Sequence, residues 1–256
     1  MAGRPSRRRL RKTRKVKRRR QRGGSVPTSS PLFEHAYAIT LDENSRRYQK
    51  MKGLATAAHV PLQPWKGVKI TAQERDKLPE LGIGTTNYKD RTGATFNLGV
   101  IGAYLSHRNL LEHIVKNPGS KPGTLIFEDD VHIPPDFYQK LAAMEPEIPA
   151  DWDFIFIDKF KEKGKMLSKS IMKLDKDMTG MLNWGIWAFI VRNDSIKSKI
   201  LPLMEHMIDV PDIQLAKHAD KLNMYLLRPS IVSLDGETAI ESVVTVLDKA
   251  AAATEV

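Results

Sequence analysis

The stretch from Gly123 to Val131 constrains the fold of this chain more than any other. A short apolar run follows Pro122 and ends in three consecutive acids, Glu128, Asp129 and Asp130. An apolar run of this length is typical of a buried strand in an α/β sheet. Three carboxylates cannot stay buried without partners, so we expect them to emerge where the strand ends. In open α/β sheets, that edge is where ligands bind.

These acids have two interpretations. Carboxylate oxygens are the ligands that Mg²⁺ and Mn²⁺ prefer, and such a cation in turn suits a diphosphate. Alternatively, the acids form a solvated turn. The strand in front of them and the break at Pro134 and Pro135 add weight to the metal interpretation, and both stay open at this point.

The basic charge of the chain is concentrated at its N-terminus. Of the 41 Lys and Arg residues, 13 lie between Arg4 and Arg22, where no acid occurs, and subtracting them leaves 28 bases against 30 acids. Residues 1–31 are therefore predicted to be a disordered basic tail, and residues 32–256 a nearly neutral folded domain. The tail could bind nucleic acid, direct nuclear import, lie on an anionic membrane or simply solubilise the chain. No aromatic residue interleaves its bases, which favours nonspecific polyanion contact over sequence readout.

Composition excludes several classes of protein. The chain has no cysteine, so disulfides, thiol catalysis and cysteine-bound zinc are excluded. No apolar run approaches the ~20 residues of a membrane helix, and no apolar segment follows the charged N-terminus. These features predict a cytoplasmic protein without a transmembrane segment, with nuclear targeting or peripheral membrane contact through the tail as alternatives.

Predicted strands and helices alternate along the domain, which indicates an α/β sandwich with a largely parallel central sheet. Residues 81–96 are predicted to be a long loop, and the Lys-rich residues 159–177 a connection without clear periodicity. Ser106 and His107 are neighbours on a predicted helix and point about 100° apart, so packing or capping is favoured over a catalytic pair. The predicted strands are residues 35–41, 60–66, 123–131, 153–158, 184–192 and 224–227. The predicted helices are residues 46–58, 71–78 (opened by a capping box of Thr71 and Glu74), 97–117, 135–144, 193–208 (broken at Pro202), one from Asp212, and 238–253.

Three stretches, in this order, resemble glycosyltransferase family 25, which contains lipooligosaccharide and collagen galactosyltransferases. Residues Tyr37 to Asp42 with the following Arg46 and Arg47 are similar to an "INLDR…R" opening, residues 99–107 to "GxxGCxLSH", and residues 125–131 to "LIxEDDV". A weaker similarity covers residues 187–192 and the downstream Asp212. The chain departs from the family at Thr40, Glu43 and Ala103, where Asn, Arg and Cys are usual; the first two departures put the identity of the donor in doubt.

The resemblance implies a GT-A-like fold and an inverting sugar transfer from a UDP-sugar, with Mn²⁺ or Mg²⁺ bound at the acids. The transferred sugar would be galactose or a similar hexose, and the acceptor a glycan, as in lipopolysaccharide biosynthesis, or a protein. Asp130 is the first metal ligand that the resemblance implies, and Glu128 would reach the metal, its bound water or the ribose. Asp129, between them on an extended chain, should point to the other face and bond backbone amides.

The same resemblance implies roles for four further groups of residues. Thr40 and Asp42 lie in the expected nucleotide-binding region, although Asp42 could instead cap a helix. Arg47 would pair with phosphate or with acids. Asp212 is the candidate base for the acceptor hydroxyl, with helix capping as its alternative. Asn183 and Trp184 would meet the acceptor, although Trp184 could equally be buried. Two rival functions remain: an inactive nucleotide-binding protein that works through its basic tail, and a metal-dependent nucleotidyltransferase or hydrolase.

Overall fold

The computed structural model describes residues 27–75 and 98–235. The predicted loop 81–96, the predicted C-terminal helix 238–253 and the basic part of the predicted tail lie outside these ranges. Ser30 lies within them: it is buried, and its hydroxyl donates a hydrogen bond to Glu145. The folded body therefore begins before residue 32.

Strands and helices alternate along most of the described chain, as predicted. The strands are β1 (Phe33–Thr40), β2 (Leu62–Lys66), β3 (Gly123–Glu128), β4 (Val131–His132), β5 (Phe154–Phe156), β6 (Gly164–Met166), β7 (Ile171–Leu174), β8 (Ala188–Arg192), β9 (Met224–Leu227) and β10 (Ser233–Leu234). The helices are α1 (Arg46–Ala57), α2 (Ala72–Arg75), α3 (Leu98–Lys116), α4 (Phe137–Met144), α5 (Asn193–Ser195), α6 (Leu201–Leu203) and α7 (Pro211–Ala216).

The central sheet has eight strands in the order β2-β1-β3-β8-β5-β9-β7-β6. Strands β1, β2 and β3 are parallel to one another, and so are β5 and β9. Strand β8 is antiparallel to both β3 and β5, and β7 is antiparallel to both β9 and β6. The α/β class is confirmed, and most strands share one direction, with β8 and β7 reversed. Because of this direction, β1, β2, β3, β5 and β9 all end at one edge, which we call the carboxyl edge.

Apolar residues cover both faces of the sheet. On β3, Leu125 and Phe127 pack into one core with residues of α1 and α4, whereas Ile126 packs into a second core with residues of α3. A strand covered on both faces must be apolar at consecutive positions, which explains the unbroken apolar run seen in the sequence. Residues 123–127 of β3 are buried between the two cores, and only Glu128, the last residue of the strand, is partly exposed at the carboxyl edge.

Three predictions about local structure were wrong or incomplete. The Lys-rich residues 159–177 contain the antiparallel pair β6 and β7, whose strands are too short for the sequence pattern to reveal. The helix predicted for 193–208 ends at Leu203, and its middle, Ile196–Ile200, is a π-helix preceding Pro202, which has no N–H to donate to the preceding turn. A two-stranded sheet of β4 and β10 was not predicted.

Candidate active site

A cavity of about 340 Å³ opens at the carboxyl edge. Its walls are the end of β1, residues 67–70 after β2, the first turns of α3, and the three acids where β3 ends. Among the residues with predicted roles, Thr40, Asp42, Arg47, Glu128, Asp129 and Asp130 all line this cavity. The structure thus brings together the six residues that the sequence grouped as nucleotide- or metal-binding.

Arg47, on the first turn of α1, bridges two of the acids. Its terminal Nη2 lies 2.8 Å from Asp129 Oδ1 and 2.9 Å from Asp130 Oδ2. Helix α1 begins here because the Ser45 side chain accepts the amide N–H of Tyr48, which caps the helix. Of the two partners expected for Arg47, acids are therefore the ones seen.

The sequence predicted that Asp129 points to the opposite face from Asp130, and this prediction is wrong, because Arg47 contacts both side chains. Strand β3 ends at Glu128, and the chain turns before β4, so the alternation of side chains stops there. Asp129 Oδ2 accepts a hydrogen bond of 2.7 Å from the Thr40 hydroxyl at the end of β1. Asp129 is thus fixed from two sides, by Thr40 and Arg47, and not by backbone amides.

Asp130 carries the least satisfied carboxylate of this group. Its Oδ1 atom is buried and makes no hydrogen bond within the described residues. Burial raises the pKa of Asp130 to about 6, with the charge of Glu128 as the next cause, while Arg47 opposes the rise. Burial also raises the pKa of Asp129. We call Arg47, Glu128, Asp129 and Asp130 the acidic cluster.

Glu128 pairs with a residue whose role the sequence did not reveal. Its Oε1 lies 3.0 Å from Nε2 of His107, which is buried on α3. Ser106 faces elsewhere: its hydroxyl donates to the Gly102 carbonyl and accepts the Val68 amide N–H. The prediction that Ser106 and His107 do not act as a pair is confirmed. The partner of His107 could not be read from the sequence, because it depends on how α3 packs against β3.

The acidic cluster suits a divalent cation bound together with a phosphate. Among residues 27–75 and 98–235, no three His, Asp or Glu side chains are arranged to hold a metal by themselves. Mg²⁺ usually takes only one or two protein carboxylates when substrate phosphates complete its shell. Asp130 Oδ1, buried and without a hydrogen bond from the described chain, has the chemistry of such a ligand, and Glu128 lies beside it on the cavity wall.

Thr40 and Asp42 shape the turn after β1. The Thr40 hydroxyl lies 3.1 Å from the Asp42 carbonyl, and Asp42 Oδ1 accepts the Asn44 amide N–H at 2.8 Å. Because Ser45 caps α1, the capping alternative for Asp42 is wrong. Asp42 is exposed on the cavity wall.

Asp212 lies outside the cavity wall, at the start of α7. Its Oδ1 accepts the Ile213 amide N–H at 2.9 Å, and its Oδ2 accepts the Gly185 amide N–H at 2.6 Å. Gly185 has φ +100°, and a Cβ there would lie 1.8 Å from the Trp187 ring, so only glycine fits. Val210 is the N-cap of α7, so the capping alternative for Asp212 is wrong. Asp212 instead ties the first turn of α7 to the loop before β8.

A buried lysine completes this second group. Lys159 Nζ donates to the Gly185 carbonyl at 2.5 Å and lies 4.0 Å from the centre of the Phe156 ring. Burial lowers the pKa of Lys159 to about 8, although the charges of Asp212 and Asp158 oppose this change. We call Lys159, Gly185 and Asp212 the lysine clamp. The sequence did not single out Lys159, since one lysine among many after a strand carries no distinctive signal.

Asn183 and Trp184 precede the clamp on the same loop. Asn183 is fully buried; its amide accepts from the Lys163 N–H and donates to the Asp175 carbonyl. These bonds make its side chain a scaffold for the loop. Trp184 is half-buried, and the ammonium group of Lys161 lies 3.8 Å from its ring centre. Neither side chain lines the cavity.

The two groups share the carboxyl edge. The Glu128 amide N–H donates to the Trp187 carbonyl at 2.8 Å, and the Ile157 amide N–H donates to the Ala188 carbonyl at 3.0 Å. The start of β8 therefore separates the end of β3 from the end of β5. The acidic cluster lies on one side of Trp187 and the lysine clamp on the other.

In the part of the chain that the structure describes, no helix is both long and apolar enough to cross a membrane.

Comparison with known proteins places the chain in a family. A curated relative, "Inactive glycosyltransferase 25 family member 3" of Mus musculus, is 24% identical over 130 residues, which are 49% of this chain and 22% of the relative. The chain thus spans about a fifth of that protein. A solved structure, S. aureus TarS 1-349, is similar with a TM-score of 0.42 and 13% identity over 83% of this chain and 64% of the other. Residues 33–183 match the model of "Glycosyltransferase family 25 (LPS biosynthesis protein)", so the chain belongs to glycosyltransferase family 25.

Proposed function

We propose that this protein transfers a hexose from a UDP-sugar to a hydroxyl of a glycan or protein acceptor, with inversion and with Mn²⁺ or Mg²⁺ bound. The observation that carries the proposal is the state of Asp130 Oδ1. This carboxylate oxygen is buried and accepts no hydrogen bond from the described residues, and Asp130 lies in the wall of a 340 Å³ cavity. That volume lies within the roughly 300–1,000 Å³ of small-molecule sites. Membership of a glycosyltransferase family supplies the reaction class.

Asp130 and Glu128 would hold the cation, and Thr40 and Arg47 would hold the carboxylates in place. A bound divalent cation supplies Lewis-acid stabilisation of a diphosphate leaving group. Arg47 adds a second positive charge to the same wall, and its guanidinium keeps Asp129 and Asp130 close to each other. Asp42, exposed at the cavity, and Thr40 lie where the nucleotide would enter.

Asp212 is the proposed base for the acceptor hydroxyl. One-step inversion needs a group that takes the proton as the new bond forms. Each oxygen of Asp212 accepts one backbone N–H and keeps lone-pair capacity for a further hydrogen bond. Lys159 is bonded to the carbonyl of the same Gly185 whose amide N–H Asp212 accepts. Trp184, the half-buried indole on the same loop, is the proposed acceptor contact, and Asn183 would act by holding that loop.

A donor screen tests the proposal. The full chain is incubated with a panel of nucleotide sugars and Mn²⁺, and nucleoside diphosphate release is measured with and without acceptor sugars. We expect release with a UDP-hexose that rises with acceptor and falls on chelation. Calorimetry with UDP completes the test: we expect binding at least about tenfold tighter with Mn²⁺, which is about 1.4 kcal/mol. Equal UDP affinity in both conditions would contradict the metal-bridging role.

A second candidate function is a nucleotide-binding protein without transfer activity whose basic tail binds a polyanion. The specific observation in its favour is the name of the mouse relative, which calls that protein inactive. This function predicts UDP binding without release from any donor, and polyanion binding that is unchanged in Asp130→Asn. The donor screen therefore separates the two functions.

A further inference from the structure

We propose that Phe160, Trp187 and Asp158 form a carbohydrate-binding subsite for the acceptor, in which the Phe160 ring stacks on a sugar and Asp158 accepts hydrogen bonds from its hydroxyls. The proposal rests on the transferase function above and names the acceptor class as a glycan. The ring proposed to stack on the acceptor is therefore that of Phe160, whose backbone pairs with Trp184, instead of that of Trp184 itself.

Phe160 is an exposed ring in a fixed position. Its side chain is 54% exposed, yet its backbone exchanges two hydrogen bonds, of 2.9 and 3.0 Å, with Trp184. Its ring centre lies 4.9 Å from that of Trp187, which is buried. A single exposed apolar residue is ordinary, but one held by two backbone bonds and a buried ring loses little freedom when a ligand stacks on it.

The backbone around Phe160 is unusually constrained. Of the five described residues with positive φ, four lie here: Lys161 at 48°, Gly180 at 68°, Asn183 at 58° and Gly185 at 100°. Side chains from outside the loop hold it in this shape, since the lysine clamp binds Gly185 at both its N–H and its carbonyl. Glycine adopts positive φ readily, but Lys161 does so only under strain, and strained backbone that surrounding contacts maintain is concentrated at ligand sites.

Asp158 supplies the polar half of the subsite. Its Oδ1 accepts the Ser230 hydroxyl at 2.6 Å, and its Oδ2 accepts the Trp187 indole N–H at 3.3 Å. These bonds fix the orientation of the carboxylate without using all its lone pairs. Asp158 is only half-buried, so hydroxyl groups can reach it.

The subsite lies on the same sheet edge as the cavity and is linked to its wall through Trp187. Trp187 contacts Phe160 and Asp158 through its side chain and binds the Glu128 amide N–H through its carbonyl. An acceptor on Phe160 would therefore lie along the same edge as a donor beside Glu128.

A glycan fits this chemistry better than a peptide. A pyranose has an apolar face of C–H groups and a rim of hydroxyls, which match an aromatic face beside a carboxyl group. An extended peptide would need partners for its own backbone, and the backbone N–H and carbonyl of Phe160 are already paired with Trp184.

Binding can be measured without turnover. The probes are the methyl glycosides of glucose, galactose and N-acetylglucosamine, titrated by saturation-transfer NMR into the full chain with UDP and the diamagnetic cation Mg²⁺. The variants are Phe160→Ala, Phe160→Tyr, which keeps the ring, and the matched control Leu167→Ala, which removes another exposed apolar side chain on the turn between β6 and β7. Unchanged thermal unfolding verifies that each variant is folded.

We expect at least one glycoside to bind the wild type, about 3- to 10-fold weaker binding to Phe160→Ala from the lost aromatic contact, and wild-type affinity in the other two variants. Equal affinity in Phe160→Ala and the wild type would overturn the subsite, as would the absence of glycoside binding to the wild type. Because no donor is consumed, glycoside binding with no diphosphate release from any donor would reject the transferase function and leave the subsite standing.

Discussion

The acidic cluster and the lysine clamp lie at the same edge of the sheet, and they differ in whether their buried polar groups have hydrogen-bond partners. In both, burial is the first cause of the pKa change: it raises the pKa of Asp130 to about 6 and lowers that of Lys159 to about 8. Lys159 donates to the Gly185 carbonyl and has two carboxylates nearby, whereas Asp130 keeps a buried oxygen without a hydrogen bond from the described chain. The clamp is complete as it stands, and the cluster is suited to receive a cation.

The largest expected effect follows from removing charge at the cluster. Asp130→Asn should lower sugar transfer by about 10³-fold, a loss of the size found when a group that stabilises transition-state charge is removed. The measurement is the steady-state rate with the donor found in the screen, together with circular dichroism. Asp136→Asn, at an aspartate whose side chain is 48% exposed and paired with Lys140, is the matched control and should retain full activity. Wild-type turnover in a folded Asp130→Asn would remove Asp130 from the site.

The second effect tests whether the clamp is purely structural. If Asp212 is the base, Asp212→Asn should slow transfer about 10²-fold or more while the affinity for UDP with Mn²⁺ stays unchanged. If Asp212 only supports α7 and Gly185, the loss should be small, because Asn still accepts one of the two backbone N–H groups. Transfer near the wild-type rate would assign Asp212 to the structural role and make Asp158 the next carboxylate to test.

A third prediction uses the pH dependence of stability to sharpen the contrast. The pKa of Asp130 is raised on folding, so between about pH 4 and pH 6 the folded chain keeps a proton that the unfolded chain has lost, and stability falls as pH rises through this window. Asn cannot ionise, so Asp130→Asn does not lose this stability. The difference in unfolding free energy between Asp130→Asn and the wild type should therefore shift by about 2 kcal/mol in favour of the variant from pH 4 to pH 7.5. Urea unfolding of both proteins at both pH values measures this difference. A constant difference would mean that Asp130 is not desolvated.

The smallest effect concerns a region remote from both groups in the sequence. Deleting residues 1–26 should leave transfer to a small soluble acceptor unchanged, because the basic residues are compositionally separate from the domain. The deletion stops before Ser30, which packs against the body. A large fall in turnover on that acceptor would show that the basic segment belongs to the site.

Much of the fold followed from local pattern. Strand β9 has the predicted bounds, α1 differs by one residue, and the capping box of Thr71 and Glu74 forms its reciprocal bonds. Apolar periodicity and capping depend on neighbouring residues, so the sequence contains them. The β6 and β7 pair was missed because its strands are short and lysine-rich, and their pairing lies outside any local pattern.

Of the residues with predicted roles, six line the cavity, whereas Asp212, Asn183 and Trp184 do not, and the contacts within the cavity were not predicted. The sequence grouped Thr40, Arg47 and the acids, but it placed Asp129 on the wrong side, because the end of β3 at Glu128 depends on the turn that follows. The pairing of His107 with Glu128 depends on how a helix packs on a strand. Such contacts arise only when distant elements meet, so residue type and spacing do not specify them.

The pairing of β4 with β10 has a practical consequence for labelling. It brings residue 233 opposite His132, and the next residues carry the chain to Asp235, whose amide N–H donates to the Asp130 carbonyl at 2.8 Å. The chain has no cysteine, so Ser233→Cys, at an exposed position, would introduce a unique thiol a few residues from the cavity wall. A fluorophore attached there would follow nucleotide arrival as an optical signal, with no need for an acceptor or a chemical step.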